Sequence, residues 1–417
     1  MTPTLRVAVD IGGTFTDVVA FDAASRTVWA AKASTTPANF ADGVFAAIAA
    51  GAIRPEDIAA FIHGTTVVIN AITLRRGVKT ALITTEGFRD VLEIGRGNRP
   101  DMYNLKFHKP RPFVPRRLRF EVRERVAADG SVWTSLAMDD LERIAAACEA
   151  EQVAAIAICF LHAYAHPEHE QTAAAFLRQR LPEVTVTASS EITREWREFE
   201  RSSTTVLNAY VAPILDAYLS DLERRLRLDG VAAPLFAMLS NGGTATFTAA
   251  RQTPIALVES GPVAGVTAAA ELGKAIGDPN VIALDIGGTT AKCSLIEGGE
   301  ARITTDYRLE ASPRSSGYPI KAPVVDIVEI GSGGGSIAWF DPGGALRVGP
   351  LSAGADPGPA CYGRGGTEPT VTDALLITGV LDADYFLGGR LQVDPALARR
   401  AYEPIAARLG VSVDEAA

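Results

Sequence analysis

The stretch VAVDIGGTFTDVVAFD, residues 7–22, contains residue types that can bind phosphate and a divalent cation. Its pattern predicts an apolar strand that contains Asp10, a tight turn at Gly12 and Gly13, and a returning strand. Because glycine has no Cβ, the N–H groups of such a turn can approach an anion closely. The neighbouring side chains could add hydroxyl donors or hold a metal beside the phosphates. They are Thr14, Thr16, Asp10 and Asp17.

A second stretch, VIALDIGGTTAKCSLIEGG at residues 281–299, repeats the arrangement. Its corresponding candidates are Asp285, Gly287, Gly288, Thr289 and Thr290. A single DxGGT sequence could equally be an ordinary hairpin, since a short glycine motif is weak evidence. Two copies, whose aspartates lie 275 positions apart (285 minus 10), favour two related halves that face one cleft. Each half would then supply one phosphate loop.

Further candidates lie where glycines meet the ends of predicted strands or helices. Residues 63–66 read HGTT between a strand and a helix, which favours anion binding by Gly64, Thr65 and Thr66. His63 is better explained as a structural histidine packed under that turn. Residues 327–337 read IVEIGSGGGSI and add Gly333 and Gly334 as candidates. The segments ESGPVAG and DPGPACYGRGG allow close packing or line a ligand.

Composition excludes several functional classes. The 417 residues suffice for two or three domains, and the balance of 40 basic against 49 acidic residues argues against a nucleic-acid or anionic-membrane partner. The four cysteines have no metal-ligand spacing and are interpreted as reduced thiols of a cytoplasmic protein. No apolar run approaches the ~18 residues of a membrane span. His162, His166 and His169 lack a metal-binding motif, so metal binding there is not expected.

Alternating strands and helices predict an α/β fold with an antiparallel part at its start. A long helical segment from Glu191 to Leu228 should break near Pro213. The proline-rich, basic segment 96–125 predicts an irregular excursion, which could be a substrate gate, a subunit contact or a solvated loop. Domain boundaries are predicted at 1–200 and 201–417. Two β-β-β-α-β-α units, each opening with a DxGGT hairpin, resemble the actin, sugar-kinase and Hsp70 superfamily, which has two ATPase lobes around a central cleft.

The order of the motifs resembles a more specific family, that of hydantoinase A and 5-oxoprolinase, which includes N-methylhydantoinase and the β-type subunits of acetone carboxylase. The resemblance covers essentially the whole chain. It rests on VAVDIGGTFTDVV, HGTTVVINAI, GFRDVLEIGRGNRPDMYNL, SSEITREWREFERSSTTVLNAYVAPIL, SNGG, ESGPVAGV, LDIGGTTAK, VVDIVEIGSGGGSIAWFD and GPLSAGADPGPACYGRGGTEPTVTDA.

The resemblance implies that ATP is used to phosphorylate an amide or ketone oxygen, which activates the carbonyl carbon. It implies ATP and Mg²⁺ as cofactors, with Asp10 and Asp285 near the metal as catalytic residues. The phosphates would contact Gly12, Gly13, Thr14, Gly287, Gly288 and Thr289. It also implies a small cyclic amide or ketone substrate and a second, B-type chain as partner.

The family pattern continues beyond this sequence into a glycine-rich, GGAGP-like stretch expected to contact adenosine. The second lobe is therefore expected to be incomplete, and this chain alone to bind ATP weakly or not at all. Three functions follow as alternatives: a ring-opening hydrolase subunit acting on hydantoin- or 5-oxoproline-like rings, the activating subunit of an acetone- or acetophenone-type carboxylase, and an actin- or chaperone-like nucleotide switch. No sugar-recognition signature supports a sugar kinase.

Overall fold

The computed structural model describes residues 3–12, 15–36, 39–288, 290–354, 356–386, 389 and 391–417. Their contacts form two compact units. The first comprises Met1–Ala264 and Ile303–Val325, and the second comprises Gly265–Arg302 and Asp326–Ala417. The predicted boundary at residue 200 stays a prediction. In the described part of the chain, no helix is both long and apolar enough to cross a membrane.

The strands follow the chain in this order: β1 Leu5–Ile11, β2 Phe15–Asp22, β3 Thr27–Ser34, β4 Ile58–Thr65, β5 Thr80–Thr85, β6 Arg119–Val122, β7 Arg125–Val126, β8 Val132–Thr134, β9 Ala155–Cys159, β10 Thr185–Ala188, β11 Leu235–Met238, β12 Thr244–Thr246, β13 Val281–Ile286, β14 Ala291–Glu297, β15 Glu300–Ala301, β16 Ile303–Thr304, β17 Tyr307–Ser312, β18 Ser315–Ile320, β19 Val324–Val325, β20 Val328–Ile330, β21 Ser336–Phe340 and β22 Leu346–Ser352.

The helices are α1 Phe40–Ala50, α2 Val67–Thr73, α3 Val91–Ile94, α4 Met138–Ala150, α5 Glu168–Arg180, α6 Ser189–Ile192, α7 Glu198–Leu228, α8 Phe247–Gln252, α9 Ser260–Ile276, α10 Val371–Ile377, α11 Pro395–Leu409 and α12 Val413–Ala416.

The first unit is built on a six-stranded mixed sheet with the order β12-β11-β4-β1-β2-β3. Strands β1, β2 and β3 are antiparallel neighbours, and β4 lies parallel to β1. The apolar positions of β1 alternate, as its sequence predicts: Leu5, Val7, Val9 and Ile11 are buried in the core. The antiparallel start of an α/β fold is thereby confirmed.

A second sheet of the first unit has the order β10-β9-β5-β6 and is parallel throughout. Every residue of β5 and β9 is buried, which is typical of parallel strands covered on both faces. Its core contains Ile83, Ile156 and Ile158. Helix α7 packs against both cores of the unit, with Leu207 in one and Val206 in the other.

The predicted break near Pro213 is wrong, because α7 continues through the proline from Glu198 to Leu228. A proline inside a helix deprives a preceding carbonyl of its usual N–H donor and pushes the backbone apart at that turn. In α7 that carbonyl belongs to Ala209, and the N–H of Val78 donates at 3.0 Å to the next carbonyl along the helix, that of Tyr210. Burial of this part of α7, from Leu207 to Ala212, holds the helix together against the local preference.

The second unit contains the second hairpin, β13 and β14, which are antiparallel. On its other edge β14 pairs with β15 and β20. Ile282, Leu284 and Ile286 of β13 are exposed, although their strand is apolar. Helices α10 and α11 enclose a smaller core that includes Leu376 and Ala398. The α/β class with mixed sheets is confirmed, and the duplicated actin-like plan stays a prediction.

Candidate functional site

The two DIGGT turns share one hydrogen-bonding pattern. The N–H of Gly12 donates to the carbonyl of Phe15 at 2.9 Å, and the N–H of Gly287 donates to the carbonyl of Thr290 at 3.0 Å. These are equivalent positions of the two motifs. The predicted phosphate-binding residues Gly13, Thr14 and Thr289 lie outside the described residues. The repeat seen in the sequence is thus also a repeat of local backbone geometry.

Asp10 is seated between two glycines that the chain brings from distant positions. In the parallel pair of β1 and β4, Asp10 lies directly opposite Gly64. A Cβ added to Gly64 would lie 2.5 Å from Oδ1 of Asp10, and a Cβ added to Gly261 would lie 2.9 Å from the same atom. Both positions therefore require glycine if the carboxylate is to stay where it is. The segments HGTT, which contains Gly64, and ESGPVAG, which contains Gly261, therefore meet at the Asp10 carboxylate of the first hairpin.

The hydroxyl groups near this seat make internal hydrogen bonds. Thr66 Oγ1 donates to the carbonyl of Ile11 at 3.0 Å. Ser260 Oγ accepts from the N–H of Thr65 at 3.2 Å and donates to the carbonyl of Thr65 at 2.9 Å, which ties the start of α9 to the end of β4. Thr16 is fully buried, and its Oγ1 lies 3.2 Å from Thr35 Oγ1. Phosphate binding by Thr16, Thr65 and Thr66 stays a prediction.

The second turn is contacted by the glycine-rich segment that follows β20. The N–H of Gly334 donates to the carbonyl of Gly287 at 2.9 Å, and the N–H of Gly335 donates to that of Gly288 at 2.6 Å. Thr372, at the start of α10, donates through its N–H to the carbonyl of Gly334 at 2.7 Å. The structure therefore brings together the candidates 287, 288 and 334, which the sequence separates by more than forty positions.

The aspartates of the two motifs differ in their surroundings. Asp285 is exposed and lies opposite Lys292 across the hairpin, where the first motif has Asp17 opposite Asp10. Asp17 forms an ion pair with Lys32 at 2.6 Å, and both side chains are about half exposed. The two hairpins are therefore not equivalent in charge. In the first hairpin the carboxylate of Asp10 is enclosed by two glycines, whereas in the second hairpin the exposed Asp285 lies opposite Lys292.

The carboxylate of Asp10 fits a magnesium ion better than a soft metal. Among the residues that the structure describes, no group of three histidine, cysteine, aspartate or glutamate side chains is arranged to hold a metal. Mg²⁺ commonly keeps several waters and is bound through one or two carboxylates together with substrate phosphates. Asp10, held between Gly64 and Gly261, would supply such a ligand to a cation that neutralises phosphate charge. Magnesium binding by Asp10 and Asp285 stays a prediction.

The other metal-like clusters have structural explanations. His169 Nδ1 lies 2.8 Å from Glu124 Oε2, whereas His166 Nε2 lies 3.2 Å from the carbonyl of Ala128. All four cysteines are free, as expected for reduced thiols, and burial raises the pKa of Cys148 to about 12. These contacts give His166 and His169 hydrogen-bonding roles within the first unit.

His63 is a structural residue, as its position under the turn predicts. It is fully buried, its Nδ1 lies 3.1 Å from the carbonyl of Val9, and its Nε2 lies 2.8 Å from the hydroxyl of Tyr218. Since a carbonyl only accepts, Nδ1 carries the proton and donates, and Nε2 accepts from the tyrosine hydroxyl. Burial lowers the pKa of His63 to about 4, so the ring is neutral at pH 7.

Because His63 binds a proton more readily in the unfolded chain, the free energy of unfolding should fall as the pH is lowered from 6.5 towards 4. One such group contributes at most about 1.4 kcal/mol per pH unit. Between pH 7.5 and pH 5.0, wild-type protein should therefore lose about 2 kcal/mol more than His63→Gln in urea unfolding. The exposed His108, changed to glutamine, is the matched control. Equal losses in wild type and His63→Gln would contradict this assignment.

The loop DPGPACYGRGG is organised by one buried carboxylate. Asp373 is fully buried and accepts from the N–H groups of Ala360, Cys361 and Thr370 at 3.2, 2.8 and 3.0 Å. Its second role is in the cap of α10, where it also accepts from Thr370 Oγ1 at 2.7 Å. Asp373 therefore holds the loop to α10. Its structural role could have been suspected from the T-x-x-D capping pattern.

The basic excursion 96–125 is not a freely solvated loop. Five of its eight arginines bind carboxylates of the first unit; the pairs are Arg96–Glu200, Arg116–Asp90, Arg117–Glu151, Arg119–Glu93 and Arg123–Asp140. The excursion also lines a small apolar cavity of about 40 Å³ together with Phe199 and Tyr318. Arg75 lies over the ring of Phe113 at 3.7 Å beside this cavity. The substrate-gate and subunit-contact interpretations both stay predictions.

Comparison with known proteins gives consistent matches over nearly the whole chain. A family model described as the hydantoinase/oxoprolinase N-terminal region matches residues 6–181, and the model described as hydantoinase/oxoprolinase matches residues 201–417. Caprolactamase subunit alpha of Pseudomonas jessenii is 38% identical over 99% of this chain and 60% of its own length. 5-Oxoprolinase 1 of Arabidopsis thaliana is 31% identical over 98% of this chain and 34% of its own.

Two solved structures match the fold equally well. The crystal structure of the ATP-dependent caprolactamase from Pseudomonas jessenii has a TM-score of 0.82 and 36% identity. The nucleotide-free structure of acetone carboxylase, an enzyme of ATP-dependent acetone carboxylation, has a TM-score of 0.82 and 29% identity. Each match covers 99% of this chain and 60% of the solved chain. The present chain thus spans about three fifths of the length of these two relatives.

Proposed function

Because the chain belongs to the hydantoinase/oxoprolinase family, we propose that it is the ATP-using part of an enzyme that phosphorylates the carbonyl oxygen of a cyclic amide. The observation that carries the proposal is the repeated turn, one copy in each unit, with the carboxylate of Asp10 seated against the first. Relatives described as an ATP-dependent caprolactamase and as 5-oxoprolinases support the cyclic amide as substrate class.

The residues suit this chemistry because phosphoryl transfer depends mainly on positioning and on neutralising charge. Mg-ATP, when bound, would supply the γ-phosphoryl group that the amide oxygen takes up. Backbone N–H groups at the glycine turns would hold the phosphates, and the carboxylates of Asp10 and Asp285 would hold the cation. With its oxygen phosphorylated, the ring carbon becomes electrophilic, so water can add to it. Breakage of the C–N bond, with the ring nitrogen taking up a proton, would then open the ring and leave an acyl phosphate. A second water would hydrolyse that acyl phosphate to a carboxylate and free phosphate.

The partner and the assembly follow from the same reasoning. A relative described as the alpha subunit of a caprolactamase supports a partner chain. We expect a B-type chain to complete hydrolysis of the activated ring. A second candidate function is ATP-dependent activation of a ketone for carboxylation, which the match to acetone carboxylase favours.

The discriminating experiment measures ADP release by the purified assembly with hydantoin, 5-oxoproline, caprolactam, acetone or no added substrate. The proposal expects release to rise with at least one cyclic amide and not with acetone. Stimulation by acetone alone would favour the carboxylase candidate. Release that is the same with and without every substrate would contradict both enzyme functions and favour a nucleotide-switched protein.

A further inference from the structure

The basic excursion 96–125 has two parts that differ in how their charges are satisfied. Five of its arginines, one at its start and four near its end, form ion pairs with carboxylates of the first unit. Between them lies the tip, residues 99–111, whose basic side chains are exposed and form no ion pair with any described residue. They are Arg99, Lys106, Lys109 and Arg111. The ion pairs therefore anchor the excursion on either side of its tip.

Three large apolar side chains project from this tip. Met102, Tyr103 and Leu105 lie within four consecutive positions and are 67%, 92% and 95% exposed. Single exposed apolar residues are common on protein surfaces, whereas an apolar group rimmed by polar residues marks an interaction site. Methionine, aromatic residues and arginine are also the types that are enriched in interfaces between proteins. The composition of the tip therefore favours a contact with another protein over a solvated loop.

The tip is braced by hydrogen bonds of Asn104, which lies between the two most exposed side chains. Its N–H and Nδ2 donate to the carbonyl and to Oδ2 of Asp101, at 3.2 and 2.9 Å. Its Oδ1 accepts from the N–H of Lys106 at 2.9 Å, and its carbonyl accepts from Nη2 of Arg99. A contact surface that is ordered before binding loses less conformational entropy when the complex forms. The apolar side chains are therefore presented by a preorganised turn.

The charge around the tip indicates the chemistry of its partner. Its four basic side chains exceed the single carboxylate, that of Asp101, by three charges, in a chain whose net charge is −9. Complementary potentials across an interface steer association and disfavour partners of the wrong charge. The phosphates of a nucleic acid would satisfy the basic side chains and leave the apolar ones in water. An apolar pocket rimmed by aspartate or glutamate side chains satisfies both.

We propose that residues 99–111 are the element that docks the B-type chain, with Tyr103 and Leu105 entering an apolar pocket of that chain that is rimmed by carboxylates. The inference rests on the proposed function, which expects such a partner. It assigns the excursion as a subunit contact, and a substrate gate becomes an outcome of the test. Because the ion pairs of the excursion lie outside the tip, docking leaves them intact.

The test measures binding of the full chain to the B-type chain of its assembly by surface plasmon resonance, without nucleotide. Tyr103→Ser and Leu105→Ser should each raise the dissociation constant by about 10- to 100-fold, as truncation of a residue central to an interface does. Both side chains are exposed, so the fold should persist, which urea unfolding checks. Val28→Ser is the matched control, because Val28 is 62% exposed on β3 of the same unit, and its dissociation constant should equal that of wild type.

Charge reversal at the rim tests the acidic character of the pocket. Lys106→Glu should slow association at low ionic strength, and its difference from wild type should shrink at high salt, since steering by surface charge is screened. Arg224→Glu is the matched control, because it changes the net charge equally at an exposed position of α7. An association rate that is the same in Lys106→Glu and wild type would contradict the acidic rim.

ADP release separates docking from gating. At saturating B-type chain, Tyr103→Ser should regain wild-type ADP release, whereas a persistently raised KM for the cyclic amide would identify a substrate gate and overturn the inference. Wild-type affinity in both tip variants, or no complex between the two wild-type chains, would also overturn it. So would binding to phosphatidylglycerol vesicles that both variants lose, by identifying a membrane contact. ADP release that no substrate stimulates would contradict the proposed function and leave the measured affinities as evidence for docking.

Discussion

Replacing Asp10 with asparagine is expected to lower substrate-dependent ADP release by about 10²- to 10³-fold, the loss typical when one preorganised electrostatic contact is removed from an active site. Asparagine has nearly the same shape as aspartate and fits between Gly64 and Gly261, so the fold should persist. What the variant loses is the negative charge that would hold the cation beside the phosphates. The measurement is ADP release at saturating substrate, with urea unfolding to show that stability is retained.

Asp17→Asn provides the matched control for this prediction. Asp17 lies opposite Asp10 in the hairpin, but it is about half exposed and paired with Lys32 at the surface. A surface ion pair of this kind contributes about 0–1 kcal/mol, and its loss should leave turnover near the wild-type value. Asp285→Asn is expected to lower turnover as well. If Asp10→Asn keeps wild-type activity, or if the control Asp17→Asn loses as much activity as Asp10→Asn, the carboxylate of Asp10 is not the group on which turnover depends.

Local sequence pattern predicted the two hairpins well because their geometry is set by neighbours in the chain. Alternating apolar residues fix β1, and two glycines fix the turn, so no distant contact is needed to recognise either. The same pattern could not reveal why Gly261 matters. Its requirement comes from Asp10, which is 251 positions away (261 minus 10) and meets it only in the folded unit.

Two other features escaped prediction for the same physical reason. Pro213 lies inside α7 because burial of this part of the helix outweighs a local preference to break it. Arg201 stood within a recognised motif, yet only the structure shows that its guanidinium is buried beside a cavity and lacks a full set of acceptors. A charged residue in a long amphipathic helix is usually solvated, so its sequence context gave no signal.

The importance of the position of the Asp10 carboxylate can be tested without changing Asp10, by adding one methyl group beside it. Gly261→Ala would place a Cβ 2.9 Å from Oδ1, closer than non-bonded atoms tolerate, whereas Gly265→Ala, one turn later in α9, meets no atom of the described residues within 4 Å. Because the crowded atom is the end of a side chain, the carboxylate can move aside. Gly261→Ala should therefore stay folded.

Displacing the carboxylate should still lower substrate-dependent ADP release. Misplacing a catalytic group by about 1 Å can lower turnover by about 10²-fold, so Gly261→Ala should lose ADP release on that scale while Gly265→Ala keeps it. Alanine favours the helix interior by about 1 kcal/mol over glycine, so Gly265→Ala should be as stable as wild type or more so.

Gly64→Ala crowds the same oxygen from β4, at 2.5 Å, and should reproduce the loss. Since the two glycines lie on different elements and the added Cβ atoms would crowd the same carboxyl group, Oδ1 and Cγ of Asp10, a loss in both variants implicates the position of that carboxylate. Wild-type turnover in both would mean that activity does not depend on it.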